Sequence, residues 1–188
     1  LPLVVRLTPF SRPAGLDEAL HALGWHRQDD TRVMVAPQCP ATAEPLPDGL
    51  LWQQQGAADY AETVGILRGS PPVQRQAHAE RLALSPVPYQ GWVLREAGGA
   101  GQVLACGQSA AEADLVGLYD VFTHPQARGR GLARLLCSRL LAQAHAAGAC
   151  TAYLQVDADN HAARSVYHRM GFADAYAYHY RTNDPRAC

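Results

Sequence analysis

The stretch Thr123-His124-Pro125-Gln126-Ala127-Arg128-Gly129-Arg130-Gly131-Leu132-Ala133 lies between two segments of different periodicity. Before it, Leu115–Thr123 has the composition of a strand; after it, Gly131–Ala147 has the apolar spacing of a long amphipathic helix ended by Gly148. Glycines at 129 and 131 let the backbone approach a ligand closely, and the first N–H groups of the helix have no acceptor within it. Those groups and the helix dipole favour a pyrophosphate, and Arg128 and Arg130 add positive charge beside it. Two better-known phosphate loops do not fit. A Walker loop needs GxxxxGK followed by Ser or Thr, which is absent, and in a dinucleotide fingerprint the third glycine would fall where Arg134 stands.

Working outward, Thr151–Val156 reads as a strand, Asn160–Met170 as a helix stopped by Gly171, and Phe172–Arg181 as the last strand. Upstream, Gly91–Ala97 and Gln102–Ser109 flank the Gly-rich turn Gly98-Gly99-Ala100-Gly101 and suit an antiparallel hairpin. Ala57–Arg68 and Val73–Leu84 carry apolar residues at helical spacing, so the order expected from residue 50 onward is ααβββαβαβ. Pro37–Gly49 holds four prolines and no apolar periodicity, and reads as a linker. Ahead of it the chain reads strand (Leu3–Leu7), helix (Leu16–Leu23), strand (Thr31–Val35). His21-Ala22-Leu23-Gly24-Trp25 is similar to His168-Arg169-Met170-Gly171-Phe172, so either the chain holds part of an internal repeat or both helices use a common exit.

At this point the sequence resembles the GNAT superfamily of acetyltransferases. Arg128, Gly131 and Ala133 match the family's pattern of Gln or Arg, two residues, Gly, one residue, Gly or Ala, and Asn160, Ala163, Tyr167 and Gly171-Phe172 match the spacing on its last helix. The resemblance covers about Leu50–Arg181. It implies an α/β (α+β) fold: a mixed, mostly antiparallel sheet with a splayed central strand pair, flanked by helices. It divides the chain into residues 50–188, a GNAT domain, and residues 1–45, a strand-helix-strand remnant of a degenerate second half with no cofactor of its own.

The resemblance also implies a reaction, the transfer of an acetyl group from acetyl-CoA to a primary amine of a small molecule or peptide. Main-chain groups of Val121, Phe122 and Thr123 would hold the pantetheine arm, and Arg128, Gly129, Arg130, Gly131, Leu132 and Ala133 the pyrophosphate. Asn160 would contact the arm or cap its helix. Tyr167 would protonate the leaving thiolate or simply pack against the sheet. Tyr119 occupies a strand position where some members carry a basic histidine, but a phenol of pKa about 10 is a poor base. Asp120 is its neighbour, and alternation sends that side chain to the other face; Glu112 and Asp114 lie further back. Tyr176, Tyr178 and Tyr180 share one face of the last strand, with His179 opposite as a candidate for the acceptor pocket. The base is left open, and a non-catalytic acyl-CoA-binding module is the alternative reading.

Composition sets outer bounds. With 48% hydrophobic residues, 188 residues can bury a core, and Lys+Arg of 16 against Asp+Glu of 17 gives no electrostatic footprint for nucleic acid or anionic membrane. Cys39, Cys106, Cys137, Cys150 and Cys188 are scattered, with no CxxC pair, which points to neither disulfides nor a metal site and to a reducing cytoplasm. No run is long and apolar enough to span a bilayer, and no secretory signal opens the chain. A start at Leu1 rather than Met suggests a processed or truncated product, and assembly as a homodimer is left open.

Overall fold

Local pattern and final structure agree closely along most of the chain. The computed structural model describes residues 2–98 and 101–184, so Gly99 and Ala100 of the Gly-rich turn, and Cys188, lie outside the described residues. Among those described, the order is β1 (Val4–Leu7), α1 (Leu16–Ala22), β2 (His26–Ala36), β3 (Leu50–Gln55), α2 (Ala57–Arg68), α3 (Pro72–Ala83), β4 (Tyr89–Glu96), β5 (Val103–Glu112), β6 (Leu115–Thr123), a 3-10 turn Pro125–Ala127, α4 (Leu132–Ala146), β7 (Thr151–Asp157), α5 (His161–Arg169) and β8 (Ala173–Thr182). This is a mixed α/β fold in which the pairs β1–β8, β2–β8, β3–β4, β4–β5 and β5–β6 are all antiparallel. Residues up to Val35 and from Leu154 onward form one compact unit, and Ala36–Tyr153 form the other.

In the first unit β8 lies between β1 and β2, antiparallel to both. The similarity between the two helix exits has a structural counterpart. Trp25 N–H donates to the Leu20 carbonyl (3.0 Å) and Gly24 N–H to His21 (2.9 Å), while Phe172 N–H donates to Tyr167 (3.1 Å) and Gly171 N–H to His168 (3.1 Å). Both glycines are left-handed, at φ +79° and +89°, which is the geometry a helix needs to satisfy its last carbonyls and turn sharply into a strand.

In the second unit the strands run β6-β5-β4-β3. Tyr60, Ala61 and Val64 of α2 and Leu82 of α3 pack on Val93 and Cys106, each fully buried aliphatic group contributing roughly 1.5–3 kcal/mol. On the opposite face of β5, a Cβ on Gly107 would stand 2.5 Å from Leu136 Cδ2 of α4, so only glycine lets that helix come so close.

One strand departs from expectation. β3 was not anticipated because Gln53-Gln54-Gln55 has little strand character, yet it pairs along β4 from Leu50↔Glu96 to Gln55↔Gly91, and Trp52 stacks on Trp92 at 4.7 Å. Pairing and stacking override weak local preference. The proline-rich segment before β3 forms no element but is tied to α4: Glu44 N–H donates to Ser138 Oγ (3.1 Å), Arg139 to the Glu44 carbonyl (3.0 Å), and Arg134 pairs with its carboxylate at 3.1 Å.

Candidate active site

Everything that distinguishes β6 from an ordinary strand happens at Asp120. Between the pairs Cys106↔Phe122 and Gln108↔Tyr119, β6 spends three steps where β5 spends two, so β6 carries a bulge there. Asp120 takes φ +51°, a left-handed conformation that Asp adopts more readily than most residues. The bulge breaks the alternation assumed from sequence: Tyr119 and Asp120, expected on opposite faces, line the same cavity. Its volume is about 530 Å³, with His78, Tyr89 and Gln108 among the other walls.

Several groups hold the Asp120 carboxylate. Arg68 donates to Oδ1 at 2.8 Å, while Gln108 Nε2 (2.6 Å) and His78 Nε2 (3.1 Å) both lie on Oδ2. The Tyr60 hydroxyl reaches the Asp120 carbonyl at 3.4 Å. Burial depresses the pKa of His78, and Arg81 and Arg68 push the same way against the opposing pull of Asp120, so the ring is neutral near pH 7. None of His78, Gln108 or Arg68 was singled out in the sequence. Gln108 could have been, because it shares the inward parity of Leu104 and Cys106 on a strand, where a polar residue must find a partner.

Past the bulge, β6 leads into the glycine turn. The guanidinium groups of Arg68 and Arg128 each lie 5.9 Å from the ring centre of Phe122. Gly129 and Gly131 have φ +77° and +75°, and no atom lies within 4 Å of where either Cβ would be. Gly131 is the N-cap of α4 and supplies no side-chain cap, so the first N–H groups of the 15-residue helix face outward. Arg128, Gly129 and Arg130 are exposed, whereas the Leu132 side chain is buried in the core and can offer a ligand only its N–H. His124 accepts from the Gln126 N–H at 3.3 Å and contacts Gln102 at 3.2 Å.

Tyr119 lies over Gly117, where a Cβ would come within 2.6 Å of its ring, and its hydroxyl meets that of Tyr153 at 2.7 Å. Burial, then that hydrogen bond, raise its pKa well above the usual phenol value, so Tyr119 keeps its proton. Cys106 and Cys137 are pushed up to about 12 by burial and stay thiols.

Glu112 and Asp114 are exposed where β5 turns into β6, and the other candidates belong to the first unit. Asn160 Oδ1 caps α5 by accepting from the Ala163 N–H at 3.1 Å. Tyr167 is buried and meets Phe172 edge-on at 5.9 Å. His179 Nε2 lies 3.0 Å from Asp17, which also accepts from Arg181 Nε at 2.7 Å. Tyr178 is buried and hydrogen-bonds Gln155, while Tyr176 stacks edge-on with Phe10.

Solved structures share this fold at low identity. A GCN5-related N-acetyltransferase from Kribbella flavida matches 97% of this chain and 68% of its own length, at TM-score 0.68 and 19% identity. One from Sphaerobacter thermophilus matches 97% and 60%, at TM-score 0.71 and 19% identity. A tandem GNAT protein from the clavulanic acid biosynthesis pathway matches 96% and 63%, at TM-score 0.75 and 16% identity. Among curated proteins, the mycothiol acetyltransferase of Streptomyces avermitilis is 48% identical over 56 residues, which is 30% of this chain and 18% of that protein. The model of the acetyltransferase (GNAT) family matches residues 60–172, well over half of the sequence and including both the bulged strand and the glycine turn, so the chain belongs to that family of acyl-transferring enzymes.

Proposed function

We propose that the chain moves an acetyl group from acetyl-CoA to a primary amine of a small molecule or peptide by direct attack, without a covalent enzyme intermediate. The observation that carries this reading is the glycine turn: two left-handed glycines with no atom within 4 Å of either Cβ position, alternating with two exposed arginines directly before the N-terminus of a long helix. Such a turn suits a pyrophosphate, with Arg128, Arg130 and the N–H groups of Gly129, Gly131, Leu132 and Ala133 as donors. Acetyl-CoA supplies the acyl group as a thioester. Main-chain groups at Val121–Thr123 would orient its arm and polarise the acyl carbonyl as negative charge develops there.

Tyr167 would protonate the departing thiolate, a role its phenol suits because phenol and thiol pKa values are comparable. Asn160 would steady the arm from the start of the same helix, and Tyr119, which keeps its proton, would act as a donor toward the acceptor side. The high thiol pKa values of Cys106 and Cys137 favour direct transfer over an acyl-cysteine. Free cysteines at 39, 106, 137 and 150 suit a reducing cytoplasm. Residues 1–45 are read as the remnant of a second GNAT half, next to an active domain in residues 50–188.

The test is thiol release from acetyl-CoA with a panel of primary amines, for wild type and Tyr167→Phe. The transfer reading expects turnover that falls about a hundredfold or more in the variant, with CoA affinity kept. Binding without turnover for any amine would instead identify a non-catalytic acyl-CoA-binding module.

A further inference from the structure

The hydrogen bonds around Asp120 determine which atoms are left for a ligand. A carboxylate only accepts, so Gln108 must present its NH₂ to Asp120 Oδ2 at 2.6 Å and turn Oε1 away. Gln108 is 1% exposed, lines the cavity, and its buried Oε1 has no hydrogen-bond partner. A buried acceptor left unpaired costs free energy that a ligand N–H would recover. By the same logic His78 carries its proton on Nε2, 3.1 Å from Asp120 Oδ2, so Nδ1 of the neutral ring holds the lone pair. Leu82, Leu84, Pro86 and Tyr89 give the cavity apolar walls.

We propose that this cavity receives a primary amine with an apolar body, that Gln108 Oε1 accepts one of its N–H groups, and that His78 Nδ1 takes the proton lost on acylation. This rests on the acyl-transfer reading. The bound ammonium first loses one proton to solvent; as the freed lone pair forms the N–C bond, the C–S bond breaks with its electrons leaving on sulfur. The nitrogen gives one proton to His78, and the thiolate gains one from its acid. Asp120 is a positioning residue: it holds the tautomer in which Nδ1 is free. The charged groups that face His78 are Asp120 from β6, Arg68 from α2 and Arg81 from its own helix. Burial and the two arginines outweigh the carboxylate, so the ring is neutral and able to accept a proton near pH 7.

The experiment uses the full chain with ¹⁵N-labelled histidine, titrated with phenethylamine and, as a control bearing the same charge and ring but no N–H, phenethyltrimethylammonium. Phenethylamine is expected to shift the His78 Nδ1 resonance saturably and the control is not. Gln108→Leu should weaken amine binding about tenfold, the loss of one buried hydrogen bond. His78→Gln should lower thiol release from acetyl-CoA about a hundredfold. It should also abolish the rise in rate with pH through an ionisation below the ordinary imidazole value of 6.5, with acetyl-CoA affinity unchanged. A His78 resonance unmoved by phenethylamine, or moved equally by the control, would overturn the site. So would a His78→Gln variant that keeps the wild-type rate and pH profile. A chain that binds the amine at His78 yet releases no thiol would support the amine site and overturn both the transfer reading and the proton-acceptor role.

Discussion

Two carboxylates in this molecule hold almost the same kinds of partner in different settings. Asp120 has Arg68 at 2.8 Å and His78 at 3.1 Å; Asp17 has Arg181 at 2.7 Å and His179 at 3.0 Å. Around Asp17 no buried side-chain polar atom is left without a partner among the described residues. Arg181 is 9% exposed, also donates to the Trp25 carbonyl at 3.0 Å, and so joins β8 to the exit of α1. Around Asp120 the count does not close, because the Gln108 oxygen is orphaned and the strand takes a left-handed residue to bring the carboxylate in. An Asp-His-Arg cluster is therefore no guide to function by itself. Both clusters line a cavity, and what separates them is the unpaired Gln108 oxygen beside Asp120, together with local backbone strain.

The contrast can be broken most sharply by Asp120→Asn against Asp17→Asn. The first is expected to lower turnover about tenfold to a hundredfold by letting His78 lose its orientation, and the second to leave turnover per folded molecule unchanged, both read as thiol release. Arg181→Met should reverse the ranking: thermal unfolding should show a loss of about 1–3 kcal/mol from breaking its buried hydrogen bonds, with kinetics intact. A gentler probe is pH. The Arg181 hydrogen bond, then that of His179, hold the Asp17 carboxyl below its usual pKa, against desolvation. That stabilisation is present above the unfolded value of about 4 and is lost as pH falls through the lower folded value, so Asp17→Asn should flatten the acid limb of the stability curve. The smallest effect is expected from Arg68→Met. Removing a cation that depresses His78 should raise that pKa and move the onset of the rate to higher pH, a small effect at this partly exposed site.

Much of the architecture was legible in the residues. Helix α2 falls at Ala57–Arg68 as its apolar spacing indicates, and the glycine turn could be read because each of its features, from glycine to helix start, is local. The cavity at Asp120 was less so. A bulge is a matter of register between two strands, so nothing in Leu118-Tyr119-Asp120-Val121 announces that alternation stops there. His78 comes to Asp120 from a helix far upstream, through tertiary packing that spacing along the chain does not encode. β3 was hidden for a related reason: its glutamines gain their strand conformation from β4.

The most direct test of the account is calorimetric titration of acetyl-CoA into the wild-type chain and into an Arg128→Glu, Gly131→Glu variant shown to be folded. A side chain at φ +75° is strained, and two carboxylates would oppose the helix N-terminus as a pyrophosphate site. Saturable one-site binding to the wild type, lost in the variant, is the predicted result; a wild type that binds nothing, or a variant that binds equally well, would contradict it.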